Sequence, residues 1–185
     1  TKMYFIDEVT VSAQQIRKDI IPVQTLFGEE LQKLSVHSVA DAIRYFSGVQ
    51  IKDYGGIGGL KTVNIRGMGT QHVGVFYDGI QLGNAQNGQI DLGRFSLDNM
   101  EAISLYNGQK SAIFQSARDF SSAGSIYMVT RRPVLEGTQK YRLKGTFKTG
   151  SFGLANPSLL LENRLSDRIN SSFSTEYMYT TGKYK

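Results

Sequence analysis

The sequence predicts an α+β fold, in which a small mixed domain with a β-sheet and short helices precedes antiparallel strands that begin a transmembrane β-barrel. The 185 residues include 20 glycines and only 3 prolines, which is typical of a β-rich chain with many turns. Residues 62–82 show three short strand patterns separated by glycines. From residue 140 onward, apolar and polar residues alternate over segments of about ten residues, as in membrane-barrel strands.

The composition argues against a nucleic-acid-binding protein and against a protein with membrane-spanning helices. The net charge is +5, but the basic residues are scattered apart from Arg131-Arg132, so no nucleic-acid-binding module is indicated. No apolar run approaches the roughly 20 residues of a spanning helix. Residues 1–6 lack the length and cleavage pattern of a signal peptide, so an exported protein is expected to be present here as a mature or trimmed chain.

The chain shows no arrangement expected of an enzyme or a metal site. It contains no cysteine, which excludes disulfides and thiolate ligands. His37 and His72 stand alone, and the carboxylates Asp53, Asp78 and Asp91 are dispersed along the chain. Because no nucleophile–base pair or carboxylate pair is present either, we predict that the protein is not an enzyme and needs no cofactor.

The first elements of the chain are short. Residues 7–13 form a β-prone segment, which is either an ordinary first strand or an exposed segment able to add to a partner's sheet edge. Residues 21–27 predict a second strand, with Pro22 acceptable near its start. Residues 28–34 predict a short helix with acidic residues in its first turn.

A second helix is predicted from a capping pattern. Ser38 is the expected N-cap, and Asp41 follows three residues later. Gly48 lies where a helix-terminating glycine belongs, before a strand over residues 49–52. The apolar face of this helix comprises Val39, Ala42, Ile43 and Phe46.

The central segment predicts a strand, a loop and a hairpin. Val63 and Ile65 alternate with polar residues, as in a half-buried strand. Gly67 and Gly69 interrupt the pattern where the backbone needs positive φ. Asp78-Gly79 is a strong signal for a two-residue hairpin turn between two further strands.

Two loops are rich in residues that can contact a ligand. Residues 53–59 contain four glycines, but they do not match a dinucleotide-binding fingerprint, because Lys61 occupies the third glycine position and a strand follows instead of a helix. Residues 83–92 carry several uncharged amides, which donate and accept hydrogen bonds but are also common in structural loops. These amide residues are Asn84, Gln86, Asn87 and Gln89.

The last segments each have one apolar face. Turns are predicted at residues 153–157 and 166–167. A soluble antiparallel meander would show the same alternation, but three strands cannot close a barrel, and lipid does not tolerate an open sheet edge. If these are barrel strands, the chain is expected to be a fragment. The apolar positions are Tyr141, Leu143, Phe147, Leu159, Leu161, Leu165, Ile169, Phe173, Tyr177 and Tyr179.

Several motifs, in order, resemble the plug domain of TonB-dependent outer-membrane transporters. They are residues 38–52, the Ile65-Arg66-Gly67 triplet with the hairpin at Asp78-Gly79, and residues 95–106, 108–116 and 123–131. The resemblance covers roughly residues 7–132. It departs from the family where Ser47 and Gln109 replace proline, Asn107 replaces arginine, Gln115 replaces glycine, and residues 118–122 look inserted.

The resemblance implies a domain organisation and a role in transport. Residues 1–13 would be an N-terminal extension with a TonB-box-like segment, 14–133 the plug, and 140–185 the first strands of an incomplete barrel. The protein would lie in the outer membrane of a Gram-negative cell and couple to periplasmic TonB. Expected partners are TonB, a small-molecule substrate, outer-membrane lipid around the barrel and a surface lipoprotein, with no nucleic acid.

The resemblance also assigns roles to residues. Arg66 and Glu101 would anchor the plug to the barrel wall, while Asn107 removes the second arginine that the family uses for this purpose. TonB would bind Asp7, Glu8, Val9, Thr10, Val11 and Ser12. The apical loops would bind substrate through Asp53, Tyr54, Gly55, Gly56, Ile57, Gly58, Asn84, Gln86, Asn87 and Gln89.

The expected cargo is cobalamin or another corrinoid. Residues 7–13 and 71–82 are similar to the corresponding segments of cobalamin-transporting members of the family. Corrinoids carry many amides, which suits the uncharged amide loop. A siderophore, haem or glycan transporter, or a soluble plug-like binding or interaction module, remains the alternative.

Overall fold

The computed structural model describes residues 23–34, 36–83, 89–108, 122–135, 137–166 and 169–182. In chain order, the elements are β1 (Val23–Phe27), α1 (Gly28–Lys33), α2 (Val39–Ile43), β2 (Val49–Asp53), β3 (Lys61–Ile65), β4 (Val73–Tyr77), β5 (Ile80–Leu82), β6 (Met100–Tyr106), β7 (Gly124–Thr130), β8 (Tyr141–Gly150), β9 (Leu154–Ser166) and β10 (Ile169–Glu176). Single 3₁₀ turns cover Thr70–His72, Leu92–Arg94 and Ser151–Gly153.

The first part of the chain, which we call the mixed domain (the described residues from 23 to 131), is built on a five-stranded sheet. Its strand order is β1-β6-β7-β4-β5, with β4 and β7 parallel and the other neighbours antiparallel. A separate hairpin pairs β2 with β3. Mixed strand directions and two short helices confirm the predicted α+β class.

One apolar core lies between this sheet, the β2–β3 hairpin and α2. Ile65, Ile103, Leu105 and Ile126 are fully buried, and four of the five residues of α2 are buried against them. Burying a side chain of this size stabilises the fold by about 1.5–3 kcal/mol. The core therefore holds together strands that are far apart in sequence.

The predicted cap of α2 is confirmed. The Ser38 hydroxyl accepts a hydrogen bond from the backbone N–H of Asp41 at 3.4 Å and donates to the Asp41 carboxylate at 2.8 Å. The helix ends at Ile43, and a further turn leads to Gly48, whose φ of +80° is the left-handed conformation expected there.

The predicted hairpin at Asp78-Gly79 is also confirmed, since both residues have positive φ and join β4 to β5. The Asp78 carboxylate adds a contact that the sequence did not predict. It accepts hydrogen bonds from the backbone N–H and the hydroxyl of Thr130, at 2.8 and 2.7 Å. Asp78 therefore ties the hairpin to the end of β7.

The last three strands form a second, antiparallel sheet in the order β10-β9-β8. The turn predicted over residues 153–157 is wrong at its second half. Phe152 and Gly153 form the turn, with φ of +59° and +66°, whereas Asn156 and Pro157 lie inside β9. The Pro157 ring fixes φ at a value that a strand accepts, and its carbonyl accepts a hydrogen bond from Tyr177. The second predicted turn, at residues 166–167, lies partly outside the described residues.

Among the described residues, no helix has the length and apolarity needed to cross a membrane.

Candidate functional site: the glycine-rich loop and the contact between the two sheets

The two faces of the three-stranded sheet differ sharply in polarity. Tyr141, Leu143 and Phe147 on β8 are 61–73% exposed, and the apolar side chains of β9 and β10 on the same face are also exposed. On the opposite face, Asn156 and Glu162 are 0% and 1% exposed. The apolar face therefore points away from the protein and the polar face towards it.

The buried polar side chains on that inner face form hydrogen bonds, although Asn156 Oδ1 has no partner among the described residues. Glu162 accepts a hydrogen bond from the guanidinium of Arg142 on the neighbouring strand. The Asn156 amide donates to the Glu176 carboxylate at 2.7 Å and to the Tyr177 carbonyl at 3.1 Å. Most large apolar side chains of these strands face outward, whereas Leu154 and Leu160 are buried with the polar groups on the inner face.

Asp98 of the mixed domain joins this inner face. Its Oδ1 lies 2.6 Å from Lys148 Nζ on β8, and its Oδ2 accepts a hydrogen bond from the Ser158 hydroxyl on β9, also at 2.6 Å. Burial on its own would raise the pKa of Asp98, but these hydrogen bonds and the charges of Lys148 and Lys144 outweigh it and hold the pKa below its ordinary value. We call these three residues, Asp98, Lys148 and Ser158, the Asp98 bridge.

A second set of contacts joins the strands to the segment that precedes β8. Arg164 donates hydrogen bonds to the carbonyls of Gly137, at 2.7 Å, and of Leu135. The Asn170 amide donates to the Pro133 carbonyl at 3.5 Å. These bonds hold the connection against the start of the sheet, whereas the Asp98 bridge reaches into the mixed domain.

The glycine-rich loop at residues 53–59 is shaped by its own first residue. Asp53 Oδ1 accepts hydrogen bonds from the backbone N–H groups of Gly55 and Gly56, at 3.1 and 2.7 Å. Tyr54 N–H donates to the Leu60 carbonyl at 2.9 Å, which closes the loop, while the Tyr54 side chain is exposed. The loop thus presents an aromatic ring and accessible backbone, as a binding loop would.

This loop borders a cleft of about 560 Å³, which we call the loop cleft. Gly56 and Ile57 line one part of it, and Tyr45 and the hairpin-turn residue Phe152 line another. The structure therefore places the predicted loop at the end of the sheet where β8 turns into β9.

Most of the other predicted site residues lie outside the part of the chain that the structure describes. The TonB-binding residues Asp7, Glu8, Val9, Thr10, Val11 and Ser12 lie outside the described residues, as do Asn84, Gln86 and Asn87. Gln89 is described and half-buried. The roles assigned to these residues stay predictions.

Arg66 and Glu101, the predicted anchors, are both exposed. Arg66 has a φ of +50° in the turn after β3, and its N–H donates to the Gly48 carbonyl at 2.8 Å. Their anchoring role stays a prediction. Sequence analysis did not identify Asp98. The signal that pointed to it was Lys148 on the polar face of β8, because a cation on the inner face of a sheet needs a counter-ion.

Comparison with known proteins identifies the family. Residues 15–118, more than half of the chain, match the model of the TonB-dependent Receptor Plug Domain. The chain belongs to this family. The matched residues include β1 to β6 of the mixed domain, and we call the mixed domain the plug.

One curated relative is the vitamin B12 transporter BtuB of Photobacterium profundum, which is 31% identical over 103 residues. That match covers 56% of this chain but only 17% of the relative. The chain thus spans a small part of the relative's length.

Solved structures show the same fold. The siderophore receptor PirA from Acinetobacter baumannii matches with a TM-score of 0.62 at 19% identity, covering 92% of this chain and 26% of that one. The copper transporter OprC matches with a TM-score of 0.67 at 16% identity, covering 85% and 24%. Both likenesses support a plug followed by the first barrel strands, with no closed barrel among the described strands.

These comparisons confirm several predictions. The family and the fold are as predicted, and the relatives are receptors and transporters, not enzymes. The relatives are outer-membrane receptors of Gram-negative bacteria, which confirms the predicted localisation.

Proposed function

We propose that this chain is the plug and the opening barrel strands of a transporter that imports a scarce nutrient across the outer membrane with energy from TonB. In this proposal, residues 1–13 are the TonB-contacting extension, 14–133 the plug, and 140–185 the first barrel strands. The observation that carries it is the reversed polarity of β8–β10, whose apolar face is exposed while its polar face packs on the plug.

That reversal suits a strand between lipid and a plugged lumen. Lipid-facing side chains of an outer-membrane barrel are apolar, and lumen-facing ones are polar. A soluble plug-like module, the alternative class, would leave the large side chains of Leu143, Phe147 and Phe173 in water. An exposed apolar surface of that kind favours membrane contact.

The plug would gate the barrel, bind cargo at its apical loops and signal across the membrane. Cargo at residues 53–58 and 84–89 would release the segment at residues 7–12 into the periplasm. TonB would capture that segment by adding it as a strand to its own sheet. A pull on this strand would then remodel the plug, with energy from the proton motive force.

The proposed cargo is cobalamin or another corrinoid. The support is the BtuB relative, at 31% identity, together with the amides of residues 84–89. The siderophore and copper receptors resemble the chain only at 16–19% identity, which speaks for the fold and not for the cargo. Siderophores, haem and glycans are the competing cargoes, and a surface lipoprotein stays a predicted partner.

The cargo is tested by titrating the full-length receptor, folded in detergent, with cyanocobalamin. Saturable binding, weakened when Asn84, Gln86 and Asn87 are changed to alanine, is the expected result, since each lost hydrogen bond costs about 1 kcal/mol. A folded receptor that does not bind cyanocobalamin, but binds a ferric siderophore or haem, would reject the corrinoid proposal and keep the transporter class.

The coupling is tested by the substitution Val9→Pro. Proline lacks the backbone N–H that strand addition needs, so transport is expected to be lost while cargo binding is kept. The measurements are uptake of labelled cargo in cells and equilibrium binding to the purified receptor. Normal uptake by the proline variant would remove the TonB-binding role from residues 7–12.

A further inference from the structure

The two candidate cargo loops end beside one another. Lys61, the first residue of β3, follows the glycine-rich loop almost directly, and Asp91 follows the amides of residues 84–89. Asp91 Oδ1 accepts hydrogen bonds from the backbone N–H groups of Lys61 and Gly93, both at 3.0 Å. The first bond spans 30 residues of sequence, whereas the second caps the short turn Leu92–Arg94. One oxygen atom therefore joins the segments that end both loops.

Gly93 leaves no room for a side chain at this contact. A β-carbon added there would lie 3.1 Å from Asp91 Oδ1 and 3.2 Å from Cδ of Lys61. Glycine lacks that carbon, so the backbone of the turn approaches the end of the glycine-rich loop more closely than another residue would allow without displacement. The turn and the loop end are thus packed directly on each other.

The Lys61 side chain is nearly buried and holds the loop end on helix α2. Its Nζ lies 2.9 Å from Asp41 Oδ1, and the second Asp41 oxygen accepts a hydrogen bond from the Ser38 hydroxyl at 2.8 Å. Burial on its own would raise the pKa of Asp41, but the hydrogen bonds from Lys61 and Ser38 and the nearby positive charges outweigh it and hold the pKa below its ordinary value. The loop end is therefore fixed by α2 through its side chain and by Asp91 through its backbone.

Both segments border one cavity of about 270 Å³. Gly58 and Gly59 of the glycine-rich loop line one part of it, and Asp91 and Gly93 line another. A movement of either segment relative to the other changes the shape of this cavity. A cargo group that enters it contacts both segments at once.

We propose that Asp91 is a positioning residue for cargo binding, which fixes the glycine-rich loop and the end of the amide-bearing loop in one geometry through its bond to Lys61. The cargo role of these loops rests on the proposed transport function, whereas the geometry does not. A binding surface that is ordered before the cargo arrives loses less conformational entropy on binding and therefore binds more tightly. If Asp91 served only the short turn, its bond to Gly93 would be sufficient.

Three substitutions at position 91 separate these two roles. Asp91→Asn keeps an oxygen acceptor at the same distance from the backbone, so both bonds are expected to remain. Asp91→Ser keeps a side chain suited to capping the turn, but the side chain is one bond shorter, so the bond to Lys61 is expected to be lost. Asp91→Ala removes both bonds.

The first measurement needs no cargo. Spin labels are attached at Tyr54→Cys and Arg94→Cys in the full-length receptor, because both side chains are exposed and this chain contains no cysteine of its own. Any cysteine elsewhere in the receptor is replaced. The distribution of distances between the labels is expected to be narrow in the wild type and in Asp91→Asn, and clearly broader in Asp91→Ser and Asp91→Ala.

Asp91→Ser is the decisive variant of this set. A distribution as narrow as that of the wild type in Asp91→Ser would overturn the proposal, because the local cap would then be sufficient to hold the loops. Should Asp91→Ala not assemble, Asp91→Ser and Asp91→Asn still give this comparison.

The second measurement is the affinity of the unlabelled receptor for cyanocobalamin. Asp91→Ser and Asp91→Ala are expected to weaken binding by about tenfold, since the loops lose one or two hydrogen bonds that order them. Asp91→Asn should bind close to the wild-type value. Asp78→Ala is the matched control, because it removes a carboxylate that accepts two hydrogen bonds from Thr130, outside both loops, and should leave the affinity unchanged. An equal loss in Asp78→Ala would assign the effect to general destabilisation of the plug and overturn the proposal.

The two measurements separate this proposal from the proposed cargo. A receptor that does not bind cyanocobalamin rejects the corrinoid, and the label distances still decide whether Asp91 positions the loops. The affinity comparison is then made with the ferric siderophore or haem that the receptor does bind. A receptor that binds cyanocobalamin equally well in all three variants would keep the cargo and reject the positioning role of Asp91.

Discussion

The plug and the three-stranded sheet differ in where they place their large apolar side chains. In the plug, Ile103 and Ile126 are fully buried, as in any water-soluble domain. In the sheet β8–β10, Leu143 and Phe147 are exposed, whereas Glu162 and Asn156 are buried beside Leu154 and Leu160. A single chain thus contains one region with an apolar core and another with an exposed apolar face, as the lipid-facing side of a barrel wall has.

The difference teaches how the two regions stay together. Apolar attraction is non-directional and scales with the area buried. An apolar interface between the plug and the sheet β8–β10 would therefore spread the attraction over the whole contact area, and breaking one contact would release little of it. The polar inner face instead offers discrete contacts such as the Asp98 bridge, which are strong at short range and lost within a small displacement. Polar contact therefore suits the plug movement that we propose.

The largest expected effect comes from the plug core. Ile126→Ala removes a fully buried side chain from the middle of the sheet and should lower the free energy of unfolding of the plug by about 2–5 kcal/mol. Hydrogen exchange of β6 and β7 in the full-length receptor measures this loss. Val129→Ala, on the same strand but 43% exposed, is the control and should cost much less. Equal losses would show that burial does not distinguish the two positions.

A charge on the outer face of the sheet tests the lipid assignment. Leu161→Arg should destabilise the barrel by about 2–4 kcal/mol if the position lies near the bilayer midplane. The fraction of receptor that keeps the folded electrophoretic mobility in unheated samples reports this effect. Ser172→Arg places the same charge on the inner face, beside Glu162, and should be tolerated. If the outer arginine is tolerated as well as the inner one, this face does not contact lipid.

The smallest expected effect, at neutral pH, concerns protonation of Asp98. Its pKa lies below the ordinary value of 3.8, so the ionised bridge contributes its full stability above that pH and loses it as the pH falls through the lowered pKa. Protease accessibility of residues 89–100 should therefore rise in acid for the wild type, beyond the rise seen in Asp98→Asn. Identical acid profiles for the two proteins would show that Asp98 does not contribute this pH dependence.

Local features of the fold could be predicted from the residues alone. The Ser38 cap, the positive φ at Gly48 and the Asp78-Gly79 turn each depend on a few neighbouring residues whose dihedral preferences are strong. The turn over residues 153–157 was misplaced because a bulky Phe152 rarely adopts positive φ, while Asn-Pro commonly begins a turn. Where the preferences of single residues conflicted with strand pairing, the pairing decided.

The sequence by itself determined the family, the α+β class and the alternation of apolar and polar residues in β8, β9 and β10. These features depend on local residue patterns and on the order of motifs along the chain. Only the tertiary structure decided that the apolar face points outward and that Asp98 meets Lys148 and Ser158, 50 and 60 residues further along the chain. A period of two distinguishes the faces of a strand but does not tell which one meets the rest of the protein. That choice, and the partners of a buried charge, depend on how distant segments pack.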